Sequence, residues 1–113
     1  MRFPTPTWWP FRGGGQRQLL ALRTDRLDGR PVMLAFAELP PEEHLCVEWD
    51  APGGTVLVEG AWTGKAWVLE GPPEVAGAVT FRLRARAASA LRRAAGPHGG
   101  HLLATGTWQT DVH

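Results

Sequence analysis

The stretch from Val56 to Glu70, VLVEGAWTGKAWVLE, most constrains what this chain can become. It reads as two β-strands around a Thr63-Gly64 tip, with a tryptophan on each arm. A two-residue turn sets Trp62 against Lys65 and Trp67 against Gly60, whereas a four-residue loop sets Trp62 directly against Trp67. Both registers place Val56, Val58, Trp62, Trp67 and Leu69 on one face, because side chains alternate along a strand with period two. Glu59, Ala61, Ala66 and Glu70 take the other face, with Leu57 and Val68 as the exceptions. Cross-strand pairs contribute roughly 0.2–1 kcal/mol each and an isolated hairpin is marginal, so this one calls for further strands to pack against.

The rest of the chain supplies them. Gln18 to Thr24 reads as a strand, Asp28-Gly29 as a tight turn, and Val32 to Leu39 as a strand that is apolar on both faces except at Glu38. Such a strand is expected to lie buried between layers. Leu45 to Asp50 alternates Leu45, Val47 and Trp49 inward. Ala78 to Arg86 is the most regular strand, with Val79, Phe81, Leu83 and Ala85 on one face and Thr80, Arg82, Arg84 and Arg86 on the other. Ala87 to Ala95 is rich in helix formers and is stopped by Gly96-Pro97, which predicts one short helix. A last strand runs from His101 to Val112 and carries Trp108.

The fold expected from this pattern is mainly β: a single-domain antiparallel β-sandwich or small barrel of about seven strands with one short late helix. Fourteen glycines and ten prolines punctuate the strands. Residues 1–15 read as an extended arm, in which Pro4, Pro6 and Pro10 alternate with Trp8, Trp9 and Phe11 before the Gly13-Gly14-Gly15 hinge; residues 16–113 form the domain. An arm this aromatic is expected to fold back on its own domain or to dock on a neighbouring chain.

Composition limits function. A net charge of +1 argues against a nucleic-acid binder. No apolar run reaches the ~18 residues of a membrane span, and the N-terminus has no signal-peptide core. A single cysteine, Cys46, excludes an internal disulfide. Charge is unevenly spread: eight acids and one base, Lys65, from Glu38 to Glu74, then five arginines and no acid from Arg82 to Arg93.

No residue pattern points to catalysis. His98 and His101, or His44 with Cys46, fall short of the three or four ligands that zinc needs. Ser89 lacks a nucleophile elbow, and no pair of carboxylates suits general acid–base work. No cofactor or metal is expected.

Two resemblances bear on function. Gly60-x-Trp62 and Gly106-x-Trp108 resemble the G-x-W signature of lipocalin-like barrels, which implies a monomeric barrel binding a small apolar ligand or sugar through Trp62, Trp67 or Trp108. Asp28-Gly29-Arg30-Pro31-Val32, together with the stretch from Leu103 through Gly106 and Trp108 to Asp111-Val112, resembles the small β-sandwich domains of phage tail-fibre and baseplate proteins (LtfC/BppU-like). That likeness implies a structural role in a virion or tail-like particle. From its single cysteine and its N-terminus, the chain is expected to be cytoplasmic during synthesis.

The leading expectation is a non-enzymatic assembly subunit. It would contact other protein subunits, as a homo- or hetero-oligomer, through Trp8, Trp9 and Phe11 of the arm and through an arginine ladder of Arg82, Arg84 and Arg86. Nucleic acid and membrane are not expected as partners.

Overall fold

The computed structural model describes residues 7–10, 17–72, 77–87 and 100–110. These form nine strands: β1 (Thr7–Pro10), β2 (Gln18–Leu27), β3 (Arg30–Glu38), β4 (Glu43–Ala51), β5 (Gly54–Glu59), β6 (Ala61–Trp62), β7 (Trp67–Glu70), β8 (Gly77–Ala87) and β9 (His101–Thr110). They pair antiparallel into a five-stranded sheet, β1-β9-β8-β4-β5, and a four-stranded sheet, β2-β3-β7-β6. The strands expected from alternation all appear, several of them longer than expected. The helix expected over Ala87 to Ala95 lies outside the described residues, apart from Ala87, which closes β8.

The two sheets share one core, in a β-sandwich-like arrangement. Leu45, Val47, Trp49, Val79, Phe81 and Leu83 of the larger sheet meet Leu22, Met33, Ala35, Trp67 and Leu69 of the smaller one. Trp49 is fully buried and lies edge-on to Trp108, with ring centroids 5.6 Å apart and at 90°. Its indole N–H donates across the sandwich to the carbonyl of Glu70 at 3.2 Å, so the buried donor is satisfied and the two sheets are clasped. Truncating a side chain packed like this costs about 3–5 kcal/mol.

Turn chemistry sets the registers. Asp28 and Gly29 both have positive φ, 52° and 79°, which is the mirror-image turn that a two-residue hairpin between twisted strands favours. That turn brings Leu27 opposite Arg30 and aligns β2 with β3, with one bulge between Leu19 and Ala21. A second bulge, between Leu83 and Arg84 in the pairing of β8 with β9, lets Leu103 and Ala104 both face the core.

The expected Val56–Glu70 hairpin is corrected. Val56 and Val58 pair with Trp49 and Val47 of β4, not with the second arm, and only Ala61 and Trp62 pair with β7. The chain leaves one sheet and enters the other at Gly60. Its N–H still donates to Leu45 O at 2.8 Å, while a Cβ there would lie 2.9 Å from that same oxygen and 3.2 Å from both Leu69 and Trp67. A sheet-switching corner this tight admits no side chain. Alternation survives the corner, since Val56, Val58 and Trp62 stand opposite the core residues Trp49, Val47 and Trp67, but β5 and β6 are edge strands, and Val56 and Trp62, expected in the core, are 39% and 53% exposed.

Thr7–Pro10 of the arm is an edge strand of the larger sheet, paired with β9 of its own chain. An edge is where a proline-bearing strand can be accommodated, because Pro10 has no N–H to donate.

Candidate interaction surfaces

The outer face of the five-stranded sheet is ionic. Alternation on β4 and β8 sends Glu48, Asp50, Arg82 and Arg84 away from the core, and the register sets Glu48 opposite Arg82. Oε1 of Glu48 accepts from Nε of Arg82 and from Nε of Arg84, each at 3.0 Å, and Glu48 has no solvent exposure. Arg82 also forks onto Asp50, with its two terminal nitrogens 3.1 and 2.6 Å from the carboxylate oxygens. Asp50, followed by Glu48, raises the guanidinium of Arg82 further above its ordinary pKa. Planar bidentate pairing is what arginine does better than lysine.

The arginine ladder therefore exists as an alignment and not as an exposed surface. Arg82, Arg84 and Arg86 share one face as expected, but the first two are spent on neighbouring carboxylates, and Arg86 is only 2% exposed, with its Nε buried and without a hydrogen-bond partner. Acids and arginines that look segregated along the chain interdigitate here, because antiparallel pairing brings β4 beside β8. Just before β2, Nε of Arg17 donates to Glu43 on β4 at 2.7 Å and its Nη2 donates to the second carboxylate oxygen.

The outer face of the four-stranded sheet is apolar at its centre. Met33 and Ala35 are fully buried and face the core, so Leu34 and Phe36, which alternate with them, face outward; Val32 has the same parity but is itself buried, at 5% exposure. Register places Leu34 beside Val68 and Phe36 beside Ala21. Leu34, Phe36, Val68 and Ala21 are partly exposed, and Ala61 at the edge is exposed. β3 had been expected to lie between layers. Its inner face is covered by the other sheet, but among the described residues no strand lies over Leu34 and Phe36. Charges rim the patch: Arg23, whose guanidinium sits 5.6 Å above the Phe36 ring, then Asp25, and the Arg30–Glu70 pair at 3.2 Å.

At the sheet-switching corner, Trp62 stands opposite Trp67 in register, with ring centroids 5.3 Å apart at 48°. This is the four-residue-loop alternative. Thr63 builds the loop: its N–H donates to Ala66 O at 3.0 Å, its hydroxyl accepts from the Ala66 N–H at 3.2 Å, and Gly64 takes φ +97°. Trp67 is buried, and the exposed His44 meets it edge-on at 5.8 Å. Trp108 belongs to the Trp49 cluster in the core, so the three tryptophans expected to line a ligand site do not converge on one.

Of the expected arm residues, Trp8 stands opposite Gly106 and Trp9 opposite Thr105, while Phe11 lies outside the described residues. Cys46 is fully buried, and burial pushes its thiol up to about 11, which keeps it in the unreactive protonated form at neutral pH. Among the described residues no group of three His, Cys, Asp or Glu could hold a metal ion, and no helix is long and apolar enough to cross a membrane. Ser89 and His98 lie outside the described residues.

Sequence reasoning missed the Leu34–Phe36–Val68 face as a site, although its signal, a strand apolar on both sides, was present. In comparisons with protein-family models, with curated proteins and with solved structures, nothing matches this chain.

Proposed function

We propose that this chain is a non-enzymatic assembly subunit, a single-domain β-sandwich that joins a second copy of itself through the outer face of its four-stranded sheet. The observation that carries the reading is the contrast between its two outer faces. One is finished for water by internal ion pairs around Glu48, whereas the other presents Leu34, Phe36, Val68 and Ala21 inside a charged rim. Contiguous apolar surface rimmed by polar residues is the usual signature of a protein contact. Arg23 and Asp25 are both exposed, of opposite sign and two residues apart on β2, so a two-fold axis across the strands lets each meet its opposite on the other copy. A place in a phage or tail-like particle rests on the resemblance of residues 28–32 and 103–112 and is part of this proposal.

A second reading is favoured by one observation. Trp62 holds a half-exposed ring against Trp67, which suits a stacking platform for a small ligand on a monomer. Light scattering across a concentration series separates the two. The assembly reading expects the apparent mass to rise toward a dimer, and a constant monomer mass contradicts it.

A further inference from the structure

The five-stranded sheet ends in an edge whose occupant is visible. β1 pairs with β9 alone, in the register Thr7 opposite Thr107, Trp8 opposite Gly106, Trp9 opposite Thr105 and Pro10 opposite Ala104. β9 runs from His101 to Thr110, so β1 covers four of its ten positions, and among the described residues no other strand pairs along that edge. Six residues, Phe11-Arg12-Gly13-Gly14-Gly15-Gln16, connect β1 to Arg17 and the start of β2 in the other sheet.

We infer that the β9 edge is a strand-acceptor site, and that β1 of a second copy of this chain takes it in place of the chain's own β1, giving a strand-exchanged dimer. The cis register shows which strand fits. A four-residue ladder on one neighbour is a small local unit to open, and it ends on Pro10, which cannot donate. Every contact made in cis is remade in trans, so the balance between the two is set by the connector and by concentration rather than by new chemistry. A connector of six residues sets an effective concentration of order mM, so exchange grows as the protein approaches that range. Strand addition to an open edge draws its affinity from main-chain hydrogen bonds, which any correctly registered copy of residues 7–10 supplies.

The site is separate from the apolar face of the four-stranded sheet, and its test leaves Leu34 and Phe36 untouched. Directly opposed positions in an antiparallel pair fall within disulfide range. The wild-type cysteine is buried and serves as the control. Full-length Thr7→Cys and Thr107→Cys chains are mixed at about 1 mM, oxidised mildly and resolved by non-reducing electrophoresis and mass spectrometry. The double variant on one chain, oxidised when dilute, reports the cis pairing.

Exchange predicts a covalent Thr7→Cys/Thr107→Cys heterodimer that rises with concentration. Its yield should exceed by about tenfold that of Thr7→Cys mixed with Arg26→Cys, an exposed position on the other sheet. Equal yields in the two mixtures, or no heterodimer while the double variant closes on itself, would overturn it. Failure of the double variant to close would overturn it as well, by removing the cis register on which it stands.

Discussion

The amide of Gly60 donates to the carbonyl oxygen of Leu45 at 2.8 Å, and at that bond the chain passes from the five-stranded sheet to the four-stranded one. The corner works because Leu69 and Trp67 close over a position with no Cβ. Gly60→Ala is therefore expected to destabilise the fold by about 2 kcal/mol through overpacking against a backbone oxygen that cannot easily move. Gly53→Ala, where a Cβ meets nothing within 4 Å, is the matched control and should stay within about 0.5 kcal/mol. Denaturant melts of the two variants check this; equal midpoints would mean that the corner relaxes.

Glu48 holds two arginines from full burial, and its removal should be felt as charge. Glu48→Gln keeps the shape and leaves Arg82 and Arg84 facing each other under partial burial, at a cost of about 3 kcal/mol. Replacing Glu48, Arg82 and Arg84 together by leucine should cost less than Glu48→Gln alone, because no buried charge is stranded; Asp50, which loses Arg82, is 45% exposed and meets water. For the same reason, reversing Arg82, Arg84 and Arg86 to glutamate is expected to unfold this face and not merely to retune a surface. Thermal melts of the single and triple variants decide it.

Burial of Cys46 makes a pH prediction. The folded thiol titrates near 11 against an ordinary value of 9.0. Below pH 9 both folded and unfolded thiols keep their proton and the group is silent. Between pH 9 and 11 the unfolded thiol ionises first, so the unfolded chain binds fewer protons and stability falls as pH rises. The loss over that window amounts to about 2 kcal/mol. Cys46→Ala should start less stable, from the lost packing, but lack this component of the alkaline slope. Parallel slopes for wild type and variant from pH 9 to 11 would contradict the assignment.

How much of this was legible depends on the range of the signal. Asp28-Gly29 and the alternation from Val79 to Arg86 are local, and both read correctly because turn type and period two are decided within a few residues. The Gly60 corner was hidden by the same logic: alternation runs unbroken through the change of sheet, so parity gives no sign of it, and only a lone glycine marked the place. The fate of Arg82 was illegible for a different reason. Its partners Glu48 and Asp50 are more than thirty residues away, and which strand lies beside β8 is a tertiary fact. The candidate site was half legible. Val32 to Leu39 announced two apolar faces, but the sequence did not say which would be left partly open.

Self-association is expected to run through that partly open face, and a double substitution at its centre probes it. In Leu34→Thr/Phe36→Glu, threonine suits a strand and the new carboxylate lies near Arg23, so the fold should survive while the patch turns polar. Sedimentation equilibrium over a concentration series, with circular dichroism to confirm the fold, compares this variant with wild type. The wild type is expected to show a monomer–dimer equilibrium that the variant weakens by about a hundredfold, as when central apolar contacts are replaced by charge. Equal association in both proteins, or a wild type that stays monomeric throughout, would contradict it.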